Sequence, residues 1–227
     1  MTRRRFKYLD PLIHVFVVVL IISNLVGGKI VAAGPFRISG AQLLFPITYI
    51  FGDVFTEVYG YAASRRAIWM GFFASALLSV MGLIIVALPA APDWPNQRAF
   101  EIVFHFVPRM VVASLIAYWA GEFSNAYVMA KLKLLTKGRY LWVRTIGSTA
   151  VGQLVDSVIV MIIAFAGSLS PRLIVTLIVS GYLGKVLYEA AATPLTYAVV
   201  DFLKRREDVD VYDYQTNFSP FKTENPD

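Results

Sequence analysis

Four carboxylates lie inside hydrophobic runs long enough to cross a membrane. Asp53 precedes Glu57 by one helical turn in FGDVFTEVYG. Asp156 interrupts TIGSTAVGQLVDSVIVMIIAFAG, and Glu189 follows Lys185 by one turn in KVLYEAAATPLTY. An ionised group at the bilayer centre costs at least about 2.5–3.5 kcal/mol. A sequence keeps such groups where they face partners, a wet cavity or a cargo, and transport is the first chemistry they suggest. Asp53 and Glu57, at i and i+4, repel each other if both are charged. Either one is protonated, or a cation neutralises them, or a basic side chain from another helix pairs with them, with Lys185 the obvious candidate. Lys185 before Glu189 is the weaker order for a pair along one helix, which directs both toward partners on other helices.

Other polar residues fall on shared faces. Gln153 and Asp156 place an amide beside a carboxylate, offering donors and acceptors to a planar heterocycle. The plainer alternative is an interhelical hydrogen bond, worth about 0.6–2 kcal/mol. Ser114, Tyr118, Glu122 and Asn125 share a helix face, with Arg109 on a different side of the same segment. Asn24, beside Ser23, suits either a neighbouring helix or a ligand. His14 and His105 lie near opposite membrane faces and do not complete a metal site together. With no cysteine, thiolate catalysis and disulfides are excluded. No nucleophile–base pair, phosphate loop, cofactor motif or ATP-binding signature is visible. The sequence therefore predicts no enzyme, no cofactor and no metal.

The elements that position these groups follow from composition. The chain has 227 residues, 57% of them hydrophobic, and a mean hydropathy of +0.62. A spanning helix needs about 20 mostly apolar residues. Six stretches qualify: Leu9–Ala33, Gln42–Tyr59, Ala67–Leu88, Pro108–Ala130, Val143–Ala166 and Leu173–Leu203. They predict an all-α membrane protein of six transmembrane helices over residues 1–203, followed by a charged cytoplasmic tail over 204–227. The +6 net charge is spread by location. Basic residues crowd alternate connections (Arg3, Arg4, Arg5, Lys7; Arg65, Arg66; Lys131 to Arg144; Lys204 to Arg206), which predicts cytoplasmic termini and leaves no nucleic-acid surface. The first run is too long for a signal-peptide core.

Within the spans, Gln42, Pro46, Tyr49, Asp53 and Glu57 make one polar stripe, and Gly71, Ser75, Ser79 and Gly82 make a helix-packing seam. Phe100, Phe104 and Val107 give the long connection an apolar face for the membrane surface or a cavity mouth. Gly27-Gly28 weakens the end of the first span, and Pro194 predicts a kink or break in the sixth.

On these residues the chain resembles the queuosine precursor transporter family. The resemblance runs from SNLVGGKI to YDYQTNFSPF and is carried most specifically by FPITYIFGDVFTEVYG, TIGSTAVGQLVDS and KVLYEAAATPLTY. It implies a six-helix fold similar to the substrate-binding subunits of energy-coupling-factor importers. It also implies inner-membrane uptake of 7-deazaguanine bases, salvaged to make queuosine in tRNA. The expected site residues are Asn24, Asp53, Glu57, Glu122, Asn125, Gln153, Asp156, Lys185 and Glu189. A vitamin-type substrate subunit needing a separate energising module is the alternative. The partners expected are a small nucleobase and the lipid bilayer, with the unit either a monomer or a homodimer.

Overall fold

The computed structural model describes residues 6–26, 29–33, 36–39, 44–104, 108–167 and 170–222. Its elements are α1 (Leu9–Val26), β1 (Ile30–Ala33), β2 (Phe36–Ser39), α2 (Phe45–Tyr59), α3 (Tyr61–Ala87), α4 (Gln97–Phe104), α5 (Pro108–Leu135), α6 (Leu141–Phe165) and α7 (Pro171–Glu207). Four helices, α1, α3, α6 and α7, are long and apolar enough to cross a membrane. α2 has only 15 residues, and α5 carries charges along its 28. Apolar side chains point outward as well as inward: on α3, Phe73 and Leu77 are 63% and 64% exposed. A helix apolar all round, with its largest groups outermost, is built for lipid. This is a membrane protein.

Local chemistry sets the boundaries. Ser170 caps α7 by accepting from the Leu173 amide at 3.4 Å, and Pro171 begins the helix where a missing amide costs nothing. Gly60 joins α2 to α3 with φ of 83°, a conformation that side-chain-bearing residues rarely adopt. This tight joint brings the Thr56 and Ser64 hydroxyls to 2.6 Å. Ile13 and Phe16 of α1, Val54, Phe55 and Val58 of α2, and Val200 and Leu203 of α7 form the main core.

Two expectations on shape are corrected. The first helix stops at Val26, and the following β-branched residues form an antiparallel hairpin in which Ile30 pairs with Ser39 and Val31 with Ile38. An apolar run alone does not distinguish helix from strand. Of the kink or break expected at Pro194, the break does not occur: α7 is helical for 37 residues through it, because one lost amide bond is tolerated when the flanking turns hold. The charged segment after Lys204 is packed on the bundle. α7 continues to Glu207, and the chain then folds back across the bundle. Val211 N donates to Val58 O at 3.4 Å, and the Tyr61 hydroxyl donates to Phe218 O at 2.9 Å.

Both ends of the described chain share one face. The Glu207 carboxylate accepts from the Lys7 and Tyr8 amides at 3.0 and 2.7 Å and from the Tyr59 hydroxyl at 3.0 Å. We call this the tail face. The small-residue seam of α3 is filled as its spacing predicts: Gly71 meets Phe16, Leu20 and Tyr118, and Gly82 meets the Phe104 ring.

Candidate functional site

The site begins with a glycine contact. α5 and α6 form the most extensive helix pair in the bundle, and they touch at Gly121 and Gly152. A Cβ on Gly152 would lie 2.8 Å from Asn125 Cβ and 2.9 Å from Gly121 O, while one on Gly121 would lie 2.9 Å from Asp156 Cβ. Only glycine permits this approach. It sets Glu122 and Asn125 of α5 beside Asp156 of α6. Gly152→Val is expected to force the helices apart and lower the melting temperature by several degrees. Gly184→Ala in α7 is the control, since its Cβ would meet nothing within 4 Å and alanine favours helix by about 1 kcal/mol.

Around that seam the structure gathers one cluster. Lys185 of α7 donates to Asp156 Oδ2 at 2.7 Å, with the two side chains 26% and 24% exposed. Glu122 lies within electrostatic reach of Asp156, Lys185 and Glu189. The Glu122 and Asn125 side chains approach the Gly52 backbone of α2, 3.6 and 3.7 Å from where its Cβ would be, and border a narrow cleft with Phe16 and Phe55. Asp53, one residue on, faces Glu189 of α7. Both are buried, at 1% and 0% exposure. None of their four carboxyl oxygens has a donor among the described residues. Four acids and one lysine thus belong to one chain of neighbours.

One turn from Asp53, the charge balance reverses. Glu57, fully buried, accepts from Arg144 Nη2 at 2.7 Å and Nε at 3.0 Å, and from Lys204 Nζ at 2.7 Å. Lys133 Nζ lies 3.8 Å from the same carboxylate and donates to Glu57 O, Asp210 Oδ1 and Val211 O at 2.5, 2.6 and 2.6 Å. Here three cations meet two carboxylates. Burial alone would raise the Asp210 carboxyl, but hydrogen bonds from Lys133 and Lys204 hold it below the usual carboxylate range.

Glu57 is paired by bases from other helices, as one expected alternative has it, but Lys185 is not among them. Lys185 pairs with Asp156, and Glu57 is paired by Arg144 and Lys204. Those cations look like loop charges in the sequence. Their clue is that a buried Glu57 requires a base, and each lies near a helix end on the tail face.

Asn24 lies apart from the acid cluster. Its Nδ2 donates to Ser75 Oγ at 3.2 Å, at a pocket shared with Ser79, Ser114 and Tyr118. Gln153 is half-buried on α6, near Asp156. The expectations for Gln42, His105 and Val107, and for the side chains of Pro46, Tyr49 and Arg109, lie outside the described residues. Among the described residues, no group of three or more His, Cys, Asp or Glu side chains is arranged to hold a metal ion.

Comparison with known proteins adds a family. Residues 39–199 match the family described as "Putative vitamin uptake transporter". A protein of Bacillus subtilis (strain 168) named "Probable queuosine precursor transporter" is 32% identical over 168 residues, 73% of each chain. The "Queuosine precursor transporter" of Escherichia coli (strain K12) is 25% identical over 162 residues, 71% of each chain. No solved structure matches the chain.

Proposed function

Because the chain belongs to the vitamin uptake transporter family and is a transporter rather than an enzyme, we propose that it imports 7-deazaguanine bases, the precursors of queuosine, across an inner membrane. In this reading α1, α2, α3, α5, α6 and α7 are six crossings, with the energy-coupling-factor type of helix arrangement. The tail face is cytoplasmic. The chain works on a small molecule and not on nucleic acid, alone or as a homodimer.

The Asp156–Lys185 couple carries the reading. It is a donor beside an acceptor, 2.7 Å apart and about a quarter exposed, within a largely buried cluster. A deazaguanine presents a carbonyl oxygen next to an amide N–H and an exocyclic amine. Lys185 donates to that carbonyl, and Asp156 accepts from the two N–H groups. A base lacking this edge would return no hydrogen bonds in exchange for disturbing the couple, which discriminates against it. Glu122, Asn125 and Gln153 complete the surround, and Asn24 belongs to the polar pocket on the hairpin side. Glu57 acts by holding the helices rather than by touching cargo.

The test is salvage in a cell that cannot make queuosine and lacks its own importer. Nanomolar precursor is supplied, and queuosine in tRNA is scored by gel mobility. Wild-type chain is expected to restore it, and Asp156→Asn to reduce it at least about tenfold at equal membrane expression. No queuosine with well-expressed wild type overturns the cargo assignment.

A further inference from the structure

Resting on that cargo class, we infer that the pocket between α1, α3 and α5 is a second binding site, a neutral station that receives the ring of the base on the hairpin side before it reaches the acid cluster. The pocket encloses about 110 Å³, and its polar lining is Asn24 of α1, Ser75 and Ser79 of α3, and Ser114 and Tyr118 of α5. One water needs only about 10–15 Å³, so the space admits a small molecule.

The small-residue seam of α3 is filled at both ends and open between them. Gly71 is covered by Phe16, Leu20 and Tyr118, and Gly82 by the Phe104 ring, while Ser75 and Ser79 face the pocket. Packing alone would close such a gap with a larger apolar side chain. Here three helices present an amide, three hydroxyls and a phenol instead. None of these lining residues carries a charge, in contrast to the acid cluster. Such a site favours an uncharged ligand, since an ion would be left unpaired at membrane depth.

The groups suit a flat heterocycle with an amide edge. Asn24 Nδ2 donates to Ser75 Oγ at 3.2 Å, and Ser79 Oγ donates to Ser75 O at 2.8 Å. A side-chain amide has two N–H groups and a carbonyl, and a hydroxyl has two lone pairs, so both keep capacity for a ligand. An Asn side chain can pair with a base edge through two hydrogen bonds, and the Tyr118 ring offers a face on which a base can stack. Depth places the pocket on the route. Asn24 lies near the hairpin end of α1. Tyr118 lies about 15 Å along α5 from Pro108, at about 1.5 Å per residue, which is half of a hydrocarbon layer about 30 Å thick. One turn further along α5, Glu122 begins the acid cluster. Tyr118, whose hydroxyl donates to Ile68 O at 3.4 Å, stands between the two.

The chain has no cysteine, so a single introduced thiol reports on its own position. Ser114→Cys and Ser79→Cys are made separately in the full chain, placed in proteoliposomes, and treated with a charged thiosulfonate reagent that does not cross lipid. Val112→Cys is the control, because Val112 is half exposed on the outside of α5. Both pocket thiols are expected to react at least about tenfold faster than the control, since a thiol in apolar surroundings stays protonated and inert. Neutral 7-cyano-7-deazaguanine, at about ten times its half-saturating concentration for wild-type uptake, should slow that reaction at least about threefold. The protection should persist when Asp156→Asn is added and disappear when Asn24→Leu is added, with folding of each variant checked by thermal unfolding. Pocket thiols no faster than the control overturn the inference, as do fast thiols that the base does not slow. Protection lost with Asp156→Asn overturns it too and assigns the effect to the acid cluster, and protection that survives Asn24→Leu removes the pocket as its source. If the wild type takes up no base, it is the cargo reading that fails, and the second site falls with it.

Discussion

Glu57→Ala is expected to cost about 3–5 kcal/mol of stability, the range for removing one partner of a buried ion pair. Arg144 and Lys133 are each 1% exposed. Without Glu57, the Arg144 guanidinium loses its bidentate partner and keeps only the Thr136 hydroxyl and the Arg139 carbonyl. Neither carries a charge to balance it. Lys204 retains Asp210 at 2.8 Å, so its loss is partial. The damage spreads because Glu57 ties α2 to α6 and α7 at once. Thermal unfolding of detergent-purified protein measures it. Glu57→Gln should fall only slightly less far, because an amide accepts through one oxygen and leaves a surplus positive charge. A loss below about 1 kcal/mol in both variants would show that the cluster is solvated and not structural. The double variant Glu57→Leu with Arg144→Met should be less damaging than the separate losses imply, since it removes the stranded charge with its partner.

That expectation separates two sets of acids that look alike in the sequence. Asp53 and Glu57 stand four residues apart on one helix face, yet one has no donor among the described residues and the other is saturated. Spacing marks both as costly in a membrane and stops there. What distinguishes them is which helices arrive at each level of α2. That depends on the Gly121–Gly152 approach, where the information is an absent side chain. Lys185 and Asp156 are likewise legible as polar groups within apolar runs, but their pairing across α6 and α7 is a tertiary fact. The positive-inside pattern gathers Lys133, Arg144 and Lys204 correctly near one face. It misleads about their surroundings, because it treats them as loop charges when two are almost wholly buried. The hairpin at 30–39 was hidden for a simpler reason: apolarity continues from helix into strand, and only the glycine pair marks the change.

Removing residues 209–227 is expected to destabilise the bundle by on the order of 3–5 kcal/mol, in proportion to the buried polar partners it strips. Composition makes this segment a charged tail, and its contacts fasten it to the bundle. Asp213, 3% exposed, accepts from the Tyr61 amide through both oxygens, at 3.2 and 3.1 Å, at the start of α3. A carboxylate there satisfies an amide that has no partner within the helix and complements its dipole. Arg65 donates to Asn217 O and Ser219 O at 3.0 and 3.2 Å, and the Trp69 indole to Pro220 O at 2.8 Å. Phe218 and Phe221 pack against Tyr61 and Trp69. Lys133 would lose Asp210 and Val211 O while remaining beneath the surface. Ordering the segment consumes part of these gains, so the deletion should cost less than the sum of its contacts. Asp213→Ala isolates one of them and should cost about 1–2 kcal/mol. Should the deletion melt with the wild type, the segment would be resting on the bundle rather than fastening it. Should Asp213→Ala alone match the deletion, the cap on α3 would account for the whole effect, and the Lys133 and aromatic contacts would contribute nothing measurable.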